Sequence, residues 1–160
     1  MKVRNILLLG ISHIGMALLG FAAGIYTLPI LIAPDAPASA AVAAAAAQST
    51  YIGEFSRERA DSDALHWGEG EIAISTETVS FAGKLAPGPD YKLYFSPKFV
   101  ETEAQFNALK ASMALAGDVK TFDNFIVAIP PNIDPANYEA VIVWCESFGQ
   151  FITSARYQRK

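Results

Sequence analysis

The sequence holds little of the chemistry that marks disulfide-rich scaffolds and common enzymes. It has one cysteine among 160 residues, Cys145, which excludes an internal disulfide and any C-x-x-C motif for a thioredoxin-like site or a covalently bound c-type haem. It also lacks a Ser, His and Asp order typical of a catalytic triad, a phosphate-binding loop, a calcium-binding loop and pairs of carboxylates at a spacing suited to acid–base catalysis. No catalytic constellation is found, so the sequence favours a protein that is not an enzyme.

Charge is absent from residues 5–33, a stretch that follows the basic start formed by Lys2 and Arg4. The apolar part Ile6–Ile25 alone is long enough to cross a bilayer, which takes about 20 residues. Positive residues favour the cytoplasmic side. Residues 1–33 are therefore predicted to be a cytoplasmic start and a single transmembrane anchor, in a bacterial inner membrane, with the rest of the chain in the periplasm.

A cleaved signal peptide is the competing interpretation of this segment, because Ala38-Ser39-Ala40 fits an A-x-A cleavage site. The apolar run is about twice the usual length of a signal h-region of 7–15 residues, which favours the retained anchor. Gly20 and Gly24 have the spacing of a helix-packing motif, so an anchor-mediated dimer is a further hypothesis.

An alanine- and proline-rich stretch, residues 34–50, has nothing large to bury and is predicted to be a linker. Fifteen of the sixteen acidic and ten of the twelve basic residues follow it, so the predicted domain, residues 51–160, has a net charge of −5. Because an acidic surface repels the phosphate backbone, the domain is not expected to bind nucleic acid.

Short strand signals separated by glycine and proline fill this domain, and they predict a small antiparallel β-sandwich or barrel. The apolar run Val141–Cys145 is typical of a strand buried on both faces, with a hairpin at Ser147–Gly149. One helix is predicted in the middle, beginning after a capping box at Thr102 and Gln105 and continuing toward Gly117.

Four segments, in order along the chain, resemble the DM-thirteen domain, also called the electron-transfer DM domain. The most specific is the ending Ile142-Val143-Trp144-Cys145-Glu146 with Phe148, Phe151 and Ala155 after it. Gly53-x-Phe55, the segment Leu65–Gly70 and Gly88-Pro89-Asp90-Tyr91 are similar to the earlier parts of the domain. The resemblance covers about Tyr51–Tyr157.

The resemblance implies an extracytoplasmic β-rich domain whose proposed role is redox, through a cysteine acting as a bare thiol or as a ligand to a prosthetic group. Carried over, that role falls on Cys145, with His66 at the matching polar position. The two are expected on neighbouring strands, as candidate redox residues and haem ligands, although the cofactor itself stays unknown. The chain has no companion DOMON or cytochrome domain, so an electron partner would be a separate envelope redox protein.

A second hypothesis treats Cys145 as a small core residue of a non-catalytic module that binds another envelope component. Free cysteine is among the most buried residue types, and an apolar site makes a thiol inert. One histidine and one cysteine are too few for a closed zinc site, which takes four ligands, so no metal is predicted. Substitution of Cys145 separates the two hypotheses.

Overall fold

The computed structural model describes residues 3–160. Helix α1 spans Val3–Ile32, helix α2 spans Ser39–Ala47 and helix α3 spans Glu103–Leu109. The strands are β1 (Tyr51–Phe55), β2 (Gly68–Ile74), β3 (Thr78–Leu85), β4 (Tyr91–Ser96), β5 (Ala114–Val119), β6 (Phe125–Ala128), β7 (Ala140–Cys145) and β8 (Gln150–Arg159). Short 3-10 turns cover Lys110–Ser112 and Pro135–Asn137.

All eight strands form one antiparallel sheet in the order β5-β4-β7-β8-β1-β2-β3-β6. The two edge strands, β5 and β6, also contact each other, so the sheet curls into a nearly closed barrel. The contact between β5 and β6 covers two edges that would otherwise be open to pairing with other chains. The predicted β-rich fold with one short helix and an N-terminal apolar helix is confirmed.

Alternation along the strands gives the barrel an inner and an outer apolar layer. The inner layer is the main core and includes Phe81, Phe95, Val143 and Cys145. The outer layer lies where α3 covers β4, β7 and β8, and Phe106 stacks on Trp144 with ring centroids 3.9 Å apart. Both faces of β7 are therefore buried, as its unbroken apolar run predicts.

Helix α3 begins as predicted but ends early. The Thr102 hydroxyl accepts a hydrogen bond from the Gln105 backbone N–H at 3.2 Å. The expected continuation toward Gly117 is wrong, because Ala114–Val119 instead forms β5 and pairs with β4. Backbone hydrogen bonds to a neighbouring strand outweigh the weak helical spacing of this short segment.

Helix α2 lies within the stretch predicted as a linker and packs against the outside of the barrel. Its Val42 is buried, and its contacts are with β2, β3 and β6. Only residues 33–38 separate the end of α1 from the start of α2. The barrel is therefore held by a tether of six residues, which reaches at most about 20 Å when fully extended.

Helix α1 is long and apolar enough to cross a membrane. The apolar side chains of α1 are exposed along most of the helix. Among the described residues of this helix, Pro29 alone is buried. The residues of α1 that line clefts with the barrel lie toward its C-terminal end, from Ala22 onward, and include Ile25 and Pro29.

Candidate functional site

Cys145 ends β7, where the core strand meets the hairpin to β8. Its partners across the ladder are Tyr91 of β4 and Gln150 of β8. The residue is 3% exposed and belongs to the inner core. Burial raises the pKa of the Cys145 thiol, and backbone hydrogen bonds at Phe148 reduce that rise without reversing it. At neutral pH the sulfur is therefore a protonated, weakly polar thiol.

The loop before β4 holds this end of the barrel together. The Tyr91 hydroxyl donates to the Ala86 carbonyl at 2.8 Å, and Ser147 donates to the Asp90 carboxylate at 3.0 Å. Gly88 is required here, because a Cβ at that position would lie 2.4 Å from the Tyr91 hydroxyl oxygen. The hairpin after Cys145 is thereby fixed against the loop that precedes β4.

His66 lies in the loop before β2, in a turn organised by Asp63. The His66 ring atom Nδ1 is 3.0 Å from both Asp63 carboxylate oxygens. The carboxylate also accepts the backbone N–H groups of Leu65 and His66. The hydrogen bond from the His66 side chain, with the backbone bonds, holds the pKa of Asp63 below its usual range. Because an ionised carboxylate only accepts, Nδ1 carries a proton, and in the neutral ring the other nitrogen, Nε2, is an acceptor.

A cleft of about 410 Å³ brings His66 and Cys145 together at one end of the barrel. Apolar side chains dominate its lining, among them Leu65, Phe148 and Ile152. One wall comes from helix α1, through Ala22, Ile25 and Tyr26. The expectation that His66 and Cys145 lie on neighbouring strands is wrong, since β8 and β1 separate β7 from β2 in the sheet. The two residues instead line a shared cleft because the sheet curls.

A second polar cluster lies on the other face of β7, next to Trp144. Glu146 accepts hydrogen bonds from the Tyr94 hydroxyl and from Lys110 Nζ, the latter at 2.7 Å. Burial opposes ionisation of Glu146, but the hydrogen bonds from Lys110 and Tyr94 outweigh it and lower its pKa. The cluster connects the turn after α3 to the end of β7. The nearby ring nitrogen of Trp144 is buried and has no hydrogen-bond partner among the described residues.

Sequence reasoning missed Asp63 and the two exposed apolar residues at the cleft, Leu65 and Phe148. An Asp three residues before a His is a detectable turn signal, because the carboxylate can reach both the ring and the local backbone. Within the described residues 3–160, no three His, Cys, Asp or Glu side chains converge in a group suited to a metal ion.

Comparison with known proteins identifies one family. A family model described as electron transfer DM13 matches residues 55–157, from the last residue of β1 into β8. No curated protein and no solved structure matches the chain. The matched range contains His66, Asp63 and Cys145, and excludes both α1 and α2.

Proposed function

The chain belongs to the electron-transfer DM13 family, and on that premise we propose that it is a membrane-tethered periplasmic domain whose redox role is centred on the cleft of Cys145 and His66. One observation carries this proposal. The cysteine and the histidine come from distant parts of the chain, yet they line one apolar cleft, and the carboxylate of Asp63, which is not part of the lining, orients the histidine.

Within that cleft His66 is suited to accept a proton or a hydrogen bond at Nε2. Asp63 fixes the ring and would balance the positive charge of a protonated His66, since Nδ1 already lies 3.0 Å from it. Cys145 forms part of the lining as a neutral thiol beside Tyr91. The proposed electron partner is a separate envelope redox protein.

Haem fits this residue set only through the histidine. His66 meets the usual arrangement of a ligating imidazole, whose second ring nitrogen is held by a carboxylate. Cys145 does not fit as an axial ligand, because the residue is 3% exposed and packed in the inner core, whereas the iron of a haem must reach the sulfur. A haem held by His66 would supply one-electron exchange.

We place the domain on the periplasmic side because Lys2 and Arg4 precede the apolar helix. An alkaline phosphatase fusion after Gln48 should be active and stay in the membrane fraction through an alkaline wash. Release of an active fusion into the soluble periplasm would contradict a retained anchor and indicate cleavage near Ala40.

The alternative function is a non-catalytic module that binds another envelope component. Its support is the 3% exposure of Cys145, which is that of an ordinary core residue. In this alternative Cys145 contributes only to stability, and substituting it leaves binding unchanged.

Spectroelectrochemical titration of the full-length protein in lipid nanodiscs separates the two functions. The proposal expects a potential-dependent signal that is lost in His66→Phe, which removes the imidazole suited to hold a redox group, and that is shifted in potential in Cys145→Ser, which alters the lining of the same cleft. Leu115→Ser is the matched control, because Leu115 is an exposed apolar residue that does not line the cleft. A protein without such a signal, or with the same signal in all three variants, would favour the binding module.

A further inference from the structure

The level of the cleft relative to a bilayer follows from the length of α1. Thirty residues at 1.5 Å each make a helix of about 45 Å, whereas the hydrocarbon layer is about 30 Å thick. Because the layer begins after the charged Arg4, about eight residues at the C-terminal end project beyond it. Ile25 and Tyr26, which line the cleft, lie at the start of this projecting part. Tyrosine is also favoured at the membrane interface.

The mouth of the cleft is apolar on the barrel side as well. Leu65 is 55% exposed and Phe148 is 53% exposed, and both line the cleft. They are two of the four large apolar side chains that the described barrel exposes, the others being Leu115 and Ile126. A molecule dissolved in the outer leaflet would thus meet apolar side chains of both α1 and the barrel at the cleft.

The polar groups inside the cleft restrict what that molecule can be. No Lys or Arg lines the cleft, so a lipid phosphate would find no counter-ion there. His66 Nε2 offers one hydrogen-bond acceptor, held in position through Asp63. Gln150 lies in the same lining and adds an amide. The match is a neutral, lipid-soluble ring that carries a hydroxyl group.

We infer that the cleft binds the ring of a membrane quinol, with one ring hydroxyl donating a hydrogen bond to His66 Nε2. The apolar tail leaves between Leu65 and Phe148 into the bilayer. The volume of about 410 Å³ lies within the range of small-molecule sites. This inference rests on the proposed function, because the redox role is what selects a quinol among hydroxylated rings.

The test is calorimetric binding of decylubiquinol, under anaerobic conditions, to the full-length protein in lipid nanodiscs. His66→Phe should weaken binding about tenfold, the size of one lost hydrogen bond. The dimethyl ether of the same quinol, which has no hydroxyl proton, should bind the wild-type protein about tenfold more weakly. The ether should bind the His66→Phe variant as tightly as the quinol binds that variant, because neither ligand can make the hydrogen bond to His66 there.

Surface variants keep the test independent of folding. Leu65→Ser and Phe148→Ser change exposed side chains and should weaken binding of the quinol, whereas Leu115→Ser should not. Absence of quinol binding, or equal binding of the quinol and its ether, would overturn the inference. So would a haem absorption band that disappears in His66→Phe, since Nε2 would then be occupied.

Failure of this inference is distinguishable from failure of the proposed function. A redox signal that depends on Cys145 and His66, without quinol binding, refutes the quinol and supports the redox role. Quinol binding that depends on His66, without any redox signal, supports the quinol site and refutes the redox role.

Discussion

Cys145 should react slowly with thiol reagents in the folded protein. An ordinary thiol with a pKa of about 8.5 is roughly 3% thiolate at pH 7, and each unit of increase lowers that fraction tenfold. Burial raises the pKa of Cys145, and only 3% of the residue is exposed. We therefore expect labelling by a maleimide at pH 7 to be at least about tenfold slower than for an exposed cysteine.

The assay is mass spectrometry of the labelled protein over time. The matched control is Ser112→Cys in a Cys145→Ala background, because Ser112 is exposed. Both cysteines should label at similar rates in denaturant. In the folded protein the rate at Cys145 should still rise with pH where the control thiol is already fully ionised, because burial raises the pKa of Cys145. Equal rates in the folded proteins at pH 7 would refute this reasoning and indicate an accessible thiolate. Cys145→Ala should cost about 1–2 kcal/mol of stability, a usual size for a small core change.

Three further predictions concern the barrel and its second polar cluster. Hydrogen bonds lower the pKa of Glu146, so the contribution of its carboxylate to stability is complete above about pH 4.3 and is lost as the pH falls through the pKa of the folded state. Glu146→Gln should therefore remove this part of the acid sensitivity, measured by urea unfolding at pH 7, 4 and 3. An unchanged pH profile would contradict the prediction. Phe106→Ala removes a buried ring stacked on Trp144 and should cost about 3–5 kcal/mol in the same assay, while a loss below about 1 kcal/mol would mean that α3 does not depend on this contact. Gly70 has φ +137°, and a Cβ there would lie 2.4 Å from a backbone oxygen of β3. Gly70→Ala should therefore lower the thermal midpoint of unfolding, whereas the control Gly10→Ala, at an exposed glycine with open space around it, should leave the midpoint unchanged.

Local patterns were sufficient for the elements whose stability is local or whose burial is complete. The uncharged run before Pro34 predicts α1, because hydropathy and length alone decide whether a helix can cross a membrane. The apolar run Val141–Cys145 predicts a doubly buried strand, and Thr102 predicts the start of α3 through its own side-chain cap. The Trp144-Cys145-Glu146 ending carries the family resemblance that the comparison confirms.

Tertiary structure decided where those elements meet. Ala114–Val119 carries too weak a pattern to predict β5, and it is a strand because β4 offers it hydrogen-bond partners. His66 and Cys145 are 79 positions apart and share no strand neighbour, so only the curl of the barrel brings them to one cleft. Contacts of this kind depend on pairing and closure between distant segments, which no local periodicity encodes.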